Sequence, residues 1–165
     1  MLSFPTHTGT HIDAPFHCIK NGKKLSDYDI SYFVGEAIVF DCKCQKEIEL
    51  SETELKKIKK DDFVFFYTGH SDNYKSPNYF TNYPVISKET AQALVAKKVK
   101  VIGIDSPSPD KAPYKIHYIL LGKGIPIVEN LYNLATRVGK RFKCIIAPLH
   151  IQNADGAPCR VIGID

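Results

Sequence analysis

The sequence predicts an α/β fold, a single domain over residues 1–165 with a mixed β-sheet or barrel-like core and flanking helices. Three observations support this reading. Apolar runs rich in β-branched and aromatic residues recur along the chain and read as strands. Two segments carry the start signals of capped helices. Strands outnumber helices and alternate with them irregularly, which favours a mixed sheet over a doubly wound parallel one. With 165 residues and 44% hydrophobic content, the chain can bury one sizeable core.

The elements follow in order. Between Pro5 and about Lys24, the breakers Pro5, Gly9, Pro15 and Gly22 exclude a helix and leave strand or extended loop. EAIVFDC (36–42) reads as a buried strand. In SETELKKIKK, Ser51 and Glu54 make a capping box, which starts a helix over about 52–60. DDFVFFYTG (61–69) is a strand ending at glycine, and HSDNYKSPNYFTNYP (70–84) is a loop of turn formers and tyrosines. Ser87 caps a second helix with Ala91, Leu94 and Val95 on one face. VKVIGID (99–105) is a strand, SPSPDKAP (106–113) a proline-rich loop, and IHYILLGKG (116–124) a short helix stopped by glycine. IPIVEN (125–130) reads as strand, LYNLATRV (131–138) as short helix or turn, and KCIIAPL (143–149) and CRVIGID (159–165) as the last strands.

Composition narrows the function classes. No run approaches the roughly 18 consecutive apolar residues of a membrane-spanning helix, and MLSFPTHTGTH lacks the basic and apolar regions of a secretory signal. A cytoplasmic location without membrane contact is the expectation. The odd, irregular set Cys18, Cys42, Cys44, Cys144 and Cys159 has no CxxC pair and reads as reduced thiols. The net charge of +4 arises largely from KKIKK (56–60) and KKVK (97–100). These runs fit helix ends and solvated faces, so no nucleic-acid partner is expected.

Three of the six histidines, His7, His11 and His17, fall within the first seventeen residues. In an extended chain alternate residues share a face, so His7, Gly9, His11, Asp13, Pro15 and His17 would all point one way. Two imidazoles and a carboxylate suit zinc, manganese or iron, and three protein ligands with an open position are the pattern of a catalytic metal site. A water held there can have its pKa drawn down to about 7. Thr10 is placed to orient a ligand or that water by hydrogen bonding. Cys18, one position off the ligand face, reads as a small buried residue, and His150 in APLHI as structural.

HTGTHIDAPFH (7–17) resembles the HxGTHxDxPxH signature of the Putative cyclase family, the metal-dependent hydrolases that include bacterial kynurenine formamidase and isatin hydrolase. The resemblance continues in IHYILLGKGIPIVENLYNL, with His117 followed twelve residues later by Glu129, and in APLHIQNADGAPCRVIGID with its proline-leucine, aspartate-glycine and late arginine. It implies a domain of the swivelling β/β/α type that is short at its N-terminus for the family. It also implies that His7, His11 and Asp13 bind one metal, with Asp13 able to bridge to a second. His117 would serve that second ion, Glu129 would contact either or both, and His17 would be the catalytic acid/base. His70, after a strand end where the family often has a pocket-lining aromatic residue, is a candidate for substrate contact.

The expected function is therefore hydrolysis of an amide-like C–N bond in a small molecule, of arylformamidase or cyclic-amide type, by metal-activated water. One or two divalent ions, zinc or manganese, would serve. The rival expectation is a catalytically impaired metal-binding or scaffolding protein of the same family. A homo-oligomer, dimer or tetramer, is expected because a shortened domain would expose apolar strand edges.

Overall fold

The computed structural model describes Met1 and residues 3–165. Its centre is a closed barrel of seven strands: β1 (His11–Asp13), β2 (Val34–Asp41), β4 (Phe63–Tyr67), β6 (Val101–Ile104), β7 (Ile127–Glu129), β8 (Arg141–Pro148) and β9 (Gly156–Ile164). Around the barrel the order is β1-β7-β6-β4-β2-β8-β9, and β9 returns to β1. The pairs β2/β4, β4/β6 and β6/β7 are parallel, whereas β1/β7, β2/β8, β8/β9 and β1/β9 are antiparallel. The expected mixed, barrel-like sheet is thus present in closed form. Two short strands, β3 (Glu47–Ile48) and β5 (Val85–Ile86), form a separate parallel pair that no sequence pattern predicted. Two residues are too few to show a period.

Strand alternation divides the core in two. Ile12, Val39, Phe65, Val101, Val128, Ile146 and Ala157 belong to one cluster drawn from all seven barrel strands, which is the barrel interior. Their neighbours Ile38, Val64, Ile102, Ile104 and Ile127 belong to the second cluster, outside the barrel, under α2 (Lys88–Lys97) and α3 (Lys115–Leu121). Strands β4 and β6 are buried on both faces, hence their unbroken apolar runs. The site-bearing strands obey the same parity. Ile12 points inward, so His11 and Asp13 point outward; Val128 points inward, so Glu129 points outward beside them.

Both capped helices form. The Ser51 hydroxyl accepts from Glu54 N and the Glu54 carboxylate accepts from Ser51 N at the start of α1 (Glu52–Lys57). Lys57 ends it, three residues before the expected limit, because Ile58 turns extended and buries its side chain in the outer cluster. The Ser87 side chain likewise accepts from Thr90 N at the start of α2. The terminal strand starts at Gly156, earlier than the expected 159, since Gly156 to Pro158 pair with β1.

The N-terminal segment departs most from expectation. It is strand only over His11–Asp13; Gly9 turns the chain with φ +60° and Pro15–His17 forms a single 3-10 turn. Alternation therefore accounts for His11 and Asp13 sharing a face, while His7 and His17 are brought back by turns. His150 is exposed, not a structural packing residue, because it follows the end of β8 in the β8–β9 connection.

Gly103 lies against a filled part of the barrel interior. A Cβ there would fall 2.6 Å from Leu131 Cδ1 and 2.8 Å from Phe65 Cδ1. Gly103→Ala is expected to destabilise the fold by about 1–3 kcal/mol, as overpacking of a filled core does. Chemical denaturation measures this, and an unchanged midpoint would contradict the packing.

Candidate metal centre

The antiparallel register pairs His11 with Glu129 across β1 and β7. Their outward side chains meet, with His11 Nε2 3.2 Å from Glu129 Oε2 and 3.4 Å from Asp13 Oδ1. Helix α3 lies over β7 and brings His117 down onto the same carboxylates. His117 Nε2 is 3.6 Å from Asp13 Oδ2 and 3.4 Å from Glu129 Oε1. Each carboxylate therefore turns one oxygen to His11 and the other to His117. His7, returned by the Gly9 turn, places Nδ1 2.7 Å from Asp13 Oδ1.

The outer nitrogens of His11 and His117 are also held by hydrogen bonds, and that of His7 lies near a carboxylate without one. His11 Nδ1 donates to the carbonyl of Gly9 at 2.8 Å, leaving Nε2 as the free lone pair. His117 Nδ1 donates to Asp110 Oδ1 at 2.6 Å, while Asp110 Oδ2 accepts from the backbone N–H groups of Ile116 and His117. His7 Nε2 lies 3.2 Å from Asp155 Oδ2. Such partners fix ring orientation and tautomer in metal sites. Asp110 and Asp155 carried no assigned role in the sequence. Nothing about SPSPDKAP marks Asp110, and Asp155 was marked only by its aspartate-glycine pair.

The donor set fits a divalent cation. His11, Asp13, His117 and Glu129 are all buried, and the buried atoms His7 Nε2, His11 Nε2 and Glu129 Oε1 have no hydrogen-bond partner among the described residues. Two buried carboxylates facing each other's histidines are costly unless a compensating charge sits between them. Overlapping trios with mutually close donor atoms are His7/His11/Asp13, Asp13/His17/His117 and His7/His17/Asp155. His17 thus sits at the rim of the same cluster. Its ring is 4.2 Å from that of His7 and 6.0 Å from that of His117, and its Nδ1 donates to Asp155 Oδ2 at 3.2 Å.

Two expected contributors lie elsewhere. The Thr10 hydroxyl donates to the Asn130 carbonyl at 2.6 Å and touches no ligand side chain; it ties the β1 entry to the residue after Glu129. His70 turns away from the cluster. Its Nε2 lies 2.8 Å from the Tyr79 carbonyl and its ring stacks on Tyr79 at 4.6 Å, so it braces the 70–84 loop. The cause is local: buried Asp105 accepts from Thr68 N, Thr68 Oγ1 and Gly69 N, and Gly69 at φ +75° starts the turn that carries His70 away. Cys18 is half-buried, packing against the outer cluster while lining the cavity over the site.

A cavity of about 360 Å³ opens over the cluster, with Phe80, Tyr83 and Tyr114 as aromatic walls. A larger one of about 610 Å³ lies beyond Asn130, but no histidine lines it. The smaller cavity is the one lined by the donors.

Residues 1–111 match the model of the family described as Putative cyclase. The chain belongs to that family. The cyclase-family chain is 36% identical over 165 aligned positions to the kynurenine formamidase of Bacillus cytotoxicus, covering 98% of this chain and 77% of that one. It is 34% identical over 162 positions to the kynurenine formamidase of Geobacillus thermodenitrificans, covering 96% and 76%. A solved structure described as a potential metal-dependent hydrolase with cyclase activity superimposes with a TM-score of 0.85 at 27% identity, covering 99% of this chain and 81% of that one. Isatin hydrolase A from Labrenzia aggregata, bound to benzyl benzoate, superimposes with a TM-score of 0.84 at 27% identity, covering 98% and 74%. Like these relatives, the cyclase-family chain is a hydrolase.

Charge is finely balanced in this cyclase-family site. Burial lowers the proton affinity of His7, but the hydrogen bond and charge of Asp13, with Asp155, outweigh it and raise the pKa to about 9. His117 is likewise depressed by burial and then pushed up to about 12 by Asp110, Asp13 and Glu129. Burial opposes ionisation of Asp13, yet His117 and His7 hold it well below the usual carboxylate range. A cation needs the lone pairs that these protons occupy. Metal uptake at pH 7 should therefore release protons, and affinity should fall as pH falls. Calorimetry in buffers of different ionisation heat reads the release; uptake without it would contradict the charge balance.

Gly156 gives a second test of the centre. A Cβ there would lie 2.5 Å from His7 Cε1. Gly156→Ala should displace the His7 ring and weaken metal affinity about 10–100-fold, the range for disturbed ligand orientation. Competition against a chromophoric chelator measures it, and unchanged affinity would remove His7 from the ligand set.

Proposed function

We propose that the chain hydrolyses an amide-like C–N bond in a small aromatic molecule, an arylformamide or a cyclic amide, with one or two divalent ions, zinc or manganese. The observation that carries this reading is the double bridge, in which Asp13 and Glu129 each offer one oxygen on the His11 side and one on the His117 side. Two oxygens per carboxylate can serve two cations, while each imidazole serves one. His7 and His11 would hold the first ion and His117 the second. Such ions polarise a carbonyl and lower the pKa of a water they hold.

The chain's own groups supply the rest. Phe80, Tyr83 and Tyr114 suit a flat aromatic ring over the centre. The water oxygen bonds to the carbonyl carbon, the C–N bond breaks, and His17 carries one water proton to the leaving nitrogen. With Nδ1 donating to Asp155, His17 keeps Nε2 for that transfer. The relatives named kynurenine formamidase and the neighbour named isatin hydrolase support a formamide and a cyclic amide respectively.

A cytoplasmic homo-oligomer, dimer or tetramer, completes the reading. No helix among the described residues is long and apolar enough to cross a membrane. Exposed Ile162 and Ile164 on β9 offer apolar surface to a second copy. A monomeric mass at micromolar concentration would contradict the assembly.

Metal-loaded protein should turn over N-formylkynurenine or isatin, and a chelator should abolish the rate. His17→Ala should lower kcat by about 10²–10⁴-fold, the usual contribution of a positioned acid/base group, while retaining its metal. If the loaded protein turns over neither substrate, the hydrolytic reading fails in favour of a metal-binding or scaffolding role. Loss of metal from His17→Ala would make His17 a ligand instead.

A further inference from the structure

We infer that Asp155 is a positioning residue that aligns the proton-transferring His17. The inference rests on the reading of His17 as the acid/base group. Asp155 Oδ2 lies 3.2 Å from both His17 Nδ1 and His7 Nε2, and the two rings stand 4.2 Å apart over it. Its other oxygen accepts from the Thr6 hydroxyl at 3.3 Å. The carboxylate thus meets the outer nitrogens of a metal-side histidine and of the rim histidine together.

The backbone keeps this carboxylate in place. The Asp155 carbonyl accepts from Ala14 N at 2.8 Å, where β1 leads into the 3-10 turn bearing His17. Gly156, next in the chain, leaves the gap that admits His7, since any Cβ would overlap that ring. Residues 155 and 156 therefore sit together at the rim: one orients His17 and the other makes room for His7.

The geometry assigns a tautomer as well as a position. A carboxylate at Nδ1 accepts from the N–H there, so in the neutral ring the lone pair lies on Nε2, as acceptance of a water proton requires. For a third of its surface His17 is open to solvent, and no other hydrogen bond orients its ring among the described residues. Without Asp155 the ring would be free to rotate and to exchange tautomers.

A double-mutant cycle tests this. His17→Ala, Asp155→Ala and the pair are assayed on N-formylkynurenine at saturating zinc or manganese, with bound metal and thermal midpoint recorded for each. Asp155→Ala should lower kcat at least tenfold with KM nearly unchanged. In the His17→Ala background the same change should cost under threefold, because Asp155 then has no acid/base ring to align. Asp155→Asn, which keeps one acceptor oxygen, should recover part of kcat. A full-size loss in the His17→Ala background, or an unchanged kcat in Asp155→Ala, overturns the inference. Those outcomes are distinct from an unchanged kcat in His17→Ala itself, which would overturn the acid/base reading on which it rests. A merely structural role would lower the thermal midpoint and multiply with His17→Ala instead of merging with it.

Discussion

Buried carboxylates on the outer wall of a closed barrel constrain everything near the site. Asp13 and Glu129 stand side by side on β1 and β7, almost out of water, because the parity that sends Ile12 and Val128 into the barrel sends their neighbours out. Repulsion between two such groups, with Asp110 close behind His117, needs compensation by positive charge. Histidines converge from three directions to supply part of it: along β1, down from α3, and back from the N-terminal turn. Protons drawn onto His7 and His117 and a bound cation are alternative answers to one electrostatic demand. The raised histidine proton affinities and the fit for metal are therefore one property.

The barrel makes that arrangement rigid. Closure leaves β1 only three residues long, yet it pairs on both sides, with β7 and with β9. Two ladders hold it more firmly than its length suggests. The β7 ladder sets His11 opposite Glu129, and the β9 ladder sets Asp13 opposite Gly156. One short strand thereby ties the metal-side carboxylates to the Asp155–Gly156 unit that shapes His7. Helix α3 is anchored at its start by Asp110, whose other oxygen holds the His117 ring, so helix position and ligand orientation are coupled.

Much of this was legible in the chain. Apolar, β-branched runs located six of the seven barrel strands, and the Ser51 and Ser87 caps located two helices, because these signals act over a few residues. The run from His7 to His17 pointed to a candidate metal site through its residue types and their alternate spacing. The resemblance in HTGTHIDAPFH added His117 and Glu129, which share no local pattern with it. The partners of Thr10 and His70 were not legible in the sequence. The Thr10 hydroxyl donates to Asn130 just after β7, and His70 follows a turn set by Asp105, thirty-five residues away in sequence.

Residue chemistry by itself pointed to the kind of site: imidazoles and carboxylates in close succession suit divalent cations where the chain brings them together. The tertiary structure alone decided which atoms meet. A 3-10 turn and a left-handed glycine, not an extended strand, deliver His17 and His7. Barrel register sets Glu129 against His11, and Asp110 and Asp155 reach the outer nitrogens of rings 7 and 148 residues away from them in sequence. Ligand type is a property of each side chain, whereas ligand geometry depends on hydrogen-bonded ladders between distant segments, and only the closed barrel brings those into register.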